Sequence, residues 1–96
     1  MDTDPEFYDR ADAHIHLSNS QINNEIGPGK VSASFLYSVA RFNAWLTATG
    51  FSNGEEMKEK KNEVIEYFKT EYLKMLEENL DDYISQFDDY MEVNKK

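Results

Sequence analysis

The stretch Arg10–Asn19, RADAHIHLSN, carries both histidines of the chain and fits two periods at once. Taken with its neighbours, Phe7, Ala11, Ile15, Ser18 and Ile22 recur at steps of four, four, three and four, which is one face of an α-helix. Taken alone, Asp12, His14, His16 and Ser18 alternate with Ala13, Ile15 and Leu17, as on a half-buried strand. Alanine and aspartate are poor strand formers. Thr3 followed by Glu6 fits a capping box, and Pro5 suits a helical first turn. The local signals together predict a helix over about 5–24.

That choice decides what the histidines can do. Residues i and i+2 of a helix point about 200° apart, so His14 and His16 cannot share a metal ion. His16 falls on the polar face with Asp12 at i−4, where a solvated pair is worth a few tenths of a kcal/mol, about 0.2 to 0.5. His14 lies beside Phe7, Ala11 and Ile15 and is expected to be largely buried, with His16 exposed. A buried imidazole needs a polar partner. The second helix offers Tyr37, Arg41 and Asn43, and Arg10, His14, Arg41 and Asn43 form the candidate polar or ligand-binding patch.

Outward from this segment, Glu25–Lys30 contains Gly-Pro-Gly and reads as a loop. Gly29-Lys30-Val31-Ser32 lacks the earlier glycine and preceding strand of a phosphate-binding loop. The run ASFLYSVARFNAWLTAT is apolar on nearly every side, which predicts a central, most buried helix over 32–49 ending at Gly50. Its polar members Ser34, Ser38 and Arg41 share a narrow stripe.

Ser52 with Glu55, or Asn53 with Glu56, opens the last segment. Apolar positions then repeat at helical spacing from Val64 to Met91, predicting a third helix over 54–92. Unbroken, it would be about 58 Å long. One compact domain cannot cover that length, so a break near 79–82 or a second chain is expected. LDDYI at 80–84 returns as FDDYM at 87–91 after seven positions, giving an apolar seam of Leu80, Tyr83, Ile84, Phe87 and Met91. Seven acidic and no basic residues lie between Glu77 and Glu92. Their like-charge pairs oppose helix formation, so the seam is expected to be covered by the rest of the fold or by another chain. The aspartate pairs lack the alternation and glycine of a calcium loop.

Composition closes off several classes. Ninety-six residues make one domain, 1–96, of all-α class with three helices, the third long or broken. The absence of cysteine excludes disulfides, thiolate nucleophiles and sulfur-bound zinc. A net charge of −9 repels phosphate backbones and anionic lipid, so nucleic acid and membrane are not the expected partners. The amino terminus lacks the basic start and apolar run of a secretory signal, and a cytoplasmic location is expected. No nucleophile, base and orienter set is visible, and no catalytic residue, metal site or cofactor is assigned.

The blocks FYDRADAHIHLSN, Phe7–Asn19, and VSASFLYSVARFNA, Val31–Ala44, resemble a family of short proteobacterial proteins known as domain of unknown function 3144. The resemblance implies a bacterial, cytoplasmic protein and brings no activity with it. Arg10, Asp12, His14, Asn19, Arg41 and Asn43 are the polar positions matched. Ser38-Val39 stands where the family has smaller residues, and the chain beyond Gly50 adds nothing to the likeness. The leading expectation is a non-enzymatic module that binds another protein or itself, as a homodimer. The alternative is a small-molecule or anion-binding domain, open to enzymatic use, centred on Arg10, His14 and Arg41.

Overall fold

The computed structural model describes residues 4–92. Among them are five helices and no strand: α1 Phe7–Ser20, α2 Pro28–Ala48, α3 Gly54–Glu59, α4 Lys61–Ser85 and α5 Phe87–Tyr90. They fall into two units, one ending at Gly50 and one beginning at Phe51.

In the first unit, α1 and α2 pack as a helical hairpin. Of the expected capping box, Thr3 lies outside the described residues. Asp4 organises the start instead, its side chain accepting from the Glu6 backbone N–H at 3.0 Å and its carbonyl from the Phe7 N–H at 3.1 Å. The helix ends at Ser20, four residues short of the expected 24. The cause is Asn23, whose side-chain oxygen accepts from the backbone N–H groups of Glu25 and Ile26 at 2.8 and 2.9 Å, offering the chain a turn in place of another helical step. α2 starts at Pro28, four residues before the expected 32. Gly27 is extended, and Pro28 occupies the first turn, where its missing N–H costs nothing.

The second unit replaces the single third helix by three segments. Asn53 is the cap of α3, its side chain accepting from Glu56 N–H at 2.9 Å, while the Glu56 carboxylate reaches back to Ser52 N–H at 3.3 Å. The chain leaves helical geometry at Lys60 and again at Gln86. No break occurs at 79–82. There the Asn79 amide donates to the Met75 carbonyl at 2.7 Å within an unbroken α4, so the aspartates stay solvated and their repulsion does not interrupt the backbone ladder. Its 25 residues span about 37 Å.

Burial departs most from expectation. Val31, 5% exposed, is the one buried side chain among the described residues. α2, expected to be the most buried helix, leaves Leu36, Tyr37, Phe42, Trp45 and Leu46 at least half exposed. Within its unit one helix packs on it, so its all-round apolar surface has only one side to place there.

Candidate functional site

Two surfaces stand out, one in each unit. The first is a groove of about 430 Å³ between α1 and α2. His14, Leu17, Ser18 and Gln21 line it from α1; Ser34, Phe35, Ser38, Val39, Phe42 and Asn43 line it from α2. The groove exists because the small side chains of Ser34 and Ser38 face α1 where larger ones would fill the gap. Both hydroxyls donate back along their helix, to the carbonyls of Lys30 at 3.2 Å and Ser34 at 3.0 Å, which leaves their oxygens free to accept. The walls are predominantly apolar, the mix seen in small-molecule sites.

Of the candidate patch, His14 and Asn43 line this groove. His14 is exposed rather than largely buried, its ring 6.2 Å from that of Phe35, and His16 is exposed as expected. Arg41 is not among the lining residues, and neither is Arg10. Arg10 instead donates two hydrogen bonds to Asp4, at 3.2 and 2.7 Å. The guanidinium, helped by the Glu6 N–H, holds the Asp4 carboxyl below its ordinary 3.8, and the carboxylate raises Arg10 in return. Sequence reasoning missed Leu17, Phe35, Val39 and Phe42 as groove residues. The i, i+4, i+7 step of the last three was the available signal.

The second surface is the apolar side of α4 and α5. Leu80, Tyr83, Ile84, Phe87 and Met91, the expected interface seam, are all exposed, Ile84 most of all at 73%. Ile65, Tyr72, Leu73 and Leu76 continue the exposed band toward the start of α4. A narrower stripe of Val64, Phe68 and Met75 is half-buried. The Tyr90 hydroxyl donates to Asp82 at 2.9 Å and its ring lies 4.7 Å from Tyr83, which folds α5 back on α4. The bond to Asp82 pushes the Tyr90 phenol above its ordinary 10.0. Among the described residues no three His, Asp or Glu side chains converge as metal ligands would, and no helix is long and apolar enough to cross a membrane.

A family profile described as "Protein of unknown function (DUF3144)" matches residues 7–84. The chain belongs to this family. The match runs through α3 and α4, so the part of this DUF3144 chain beyond Gly50 shares in the likeness, contrary to the expectation that it adds nothing. A solved structure, the NMR structure of the protein NB7890A from Shewanella sp, is similar at 43% identity and a TM-score of 0.80, over 99% of this chain and all of that one. No curated protein matches the DUF3144 chain.

Proposed function

We propose that the protein is a non-enzymatic interaction module whose exposed helix faces are covered by another protein chain. The observation that carries this reading is the imbalance in burial: 22 large apolar side chains are exposed and one apolar side chain is buried among the described residues. Contiguous apolar surface on a scale of several hundred Å² marks an interaction site. The seam at Leu80, Tyr83, Ile84, Phe87 and Met91 is the part of that surface assigned to the partner. Its neighbours supply a charged rim and no grouping suited to catalysis.

Site-specific photo-cross-linking in the native cells tests the assignment. A photoreactive residue at Leu80 or Ile84 should give a discrete adduct, and one at Thr70, on the polar side of α4, should give none. Equal labelling from both positions, or from neither, sinks the reading.

A second reading rests on the α1/α2 groove, whose volume of about 430 Å³ lies within the roughly 300 to 1,000 Å³ of small-molecule sites. Its occupant would be a small neutral molecule with an apolar ring to lie on Phe35 and Phe42 and a hydrogen-bonding group for His14, Gln21 or Asn43. Titration with neutral aromatic amides, followed at the His14 ring by NMR, separates the two readings. Saturable shifts that Phe35→Ala removes favour the ligand site; unchanged His14 signals leave the groove as a packing gap.

A further inference from the structure

We infer that the partner of α4 is a second copy of this chain, paired antiparallel about a two-fold axis level with Lys74; the inference rests on the interaction reading above. The apolar positions of α4 are mirror-symmetric about that residue. Tyr72 and Leu76 stand two positions to either side, Phe68 and Leu80 six, Ile65 and Tyr83 nine. A two-fold interface is made from the same patch on both partners. Antiparallel pairing at this register sets Tyr83 opposite the partner's Ile65, Leu80 opposite the partner's Phe68, and Tyr72 opposite the partner's Leu76.

Any amphipathic helix has part of this symmetry by construction, so orientation needs a second argument. Charge supplies it. From Glu77 to Glu92 the chain carries seven acidic and no basic side chains, whereas Lys58, Lys60, Lys61, Lys69 and Lys74 all lie before it. Parallel pairing would set the acidic third against itself. Antiparallel pairing lays it instead along residues 55–76, where five lysines offset all but one of six glutamates, so the two acidic thirds are kept apart.

The area is also adequate. Seven side chains of the face, Ile65, Tyr72, Leu73, Leu76, Leu80, Tyr83 and Ile84, are exposed. At about 100 Å² each, half of what a bulky side chain presents, they offer about 700 Å² per chain. Stable interfaces bury roughly 600 to 1,000 Å² per partner.

Sedimentation of the full chain over a hundredfold concentration range should show a monomer–dimer equilibrium, and Tyr72→Glu with Leu76→Glu should weaken it at least a hundredfold while leaving the helical circular dichroism signal in place. Distance measurement between spin labels keeps the test independent of that variant's folding. The chain has no cysteine of its own, so Lys61→Cys and Lys74→Cys each accept one label. Antiparallel pairing puts the two Lys61 labels about 39 Å apart along the axis and the two Lys74 labels level with one another. Equal, short distances at both sites mean parallel helices and overturn the orientation. A monomer at every concentration overturns the self-pairing outright, and the Leu80 cross-linking experiment then decides separately whether the interaction reading falls with it.

Discussion

The hairpin of α1 and α2 and the helices α4 and α5 expose equal numbers of large apolar side chains, eleven before Gly50 and eleven after it. They expose them in different shapes. In the hairpin, apolar walls and hydrogen-bonding side chains line a concave space, and Val31, outside that lining, is the one buried side chain among the described residues. On α4 the apolar residues form a convex band on a single rod, with charge sorted along its length. Composition alone therefore does not set the use of an apolar surface. A concave surface with free acceptors suits a small molecule, and a convex apolar band suits another rod.

The largest expected effect breaks the comparison on the hairpin side. Val31→Ala removes the one fully supported apolar contact and should destabilise the first unit by about 2 kcal/mol. Val39→Ala, an exposed position, should cost well under half of that. Thermal unfolding followed by the fluorescence of Trp45, the one tryptophan, reads the first unit directly. Equal losses at both positions would mean that Val31 is not the support of the hairpin.

Next in size is the response to concentration. If α4 pairs with a second copy, each tenfold rise in protein concentration should stabilise the paired second units by about 1.4 kcal/mol per dimer. Amide exchange at Leu76 should slow accordingly, while the Trp45 transition stays fixed. A Trp45 transition that moves with concentration while Leu76 exchange does not would exchange the roles given to the two regions.

A smaller effect sharpens the second region from within. Asn53→Ala removes the side-chain cap of α3 and should cost about 1 kcal/mol. Asn53→Ser keeps an acceptor at the same position and should recover most of it. Failure of serine to rescue would place the role of Asn53 somewhere other than the cap.

The all-α class was legible because helical spacing from Phe7 to Ile22 and from Val64 to Met91 outlasts any competing alternation. The cap at Asn53 was legible as one of two alternatives, through its partner Glu56, the other being Ser52 with Glu55. The ends of the helices were not. They turn on single side chains acting on nearby backbone, Asn23 cutting α1 short and Pro28 opening α2 early, and a periodicity has no term for either. The break fell at Gln86 rather than at 79–82 because exposed aspartates lower helix stability without removing a backbone hydrogen bond. His14 was placed on the correct face, yet its burial depended on what stood opposite. Ser34 and Ser38 read as a polar stripe, when their small size facing α1 is what leaves His14 beside an open groove.

The smallest prediction uses acid and alkali to address the two regions separately. In the first, Asp4 is held below 3.8 by Arg10, so its stabilising bond is complete above that value and is lost as pH falls through the lower, folded one. In the second, Tyr90 is held above 10.0 by Asp82, so its contribution is complete below 10.0 and is lost as pH rises through the higher, folded value. Both groups are exposed, where screening keeps such contributions small, and the effect is expected in local signals rather than in global unfolding. Amide shifts of Glu6 and Phe7 should follow the acid limb and vanish from it in Asp4→Asn. Those of Tyr90 and Met91 should follow the alkaline limb and vanish from it in Tyr90→Phe. If Tyr90→Phe left the alkaline limb of the α5 amides in place, the Tyr90–Asp82 bond would not be its cause, and the opposite pH sensitivity of the two regions would be lost.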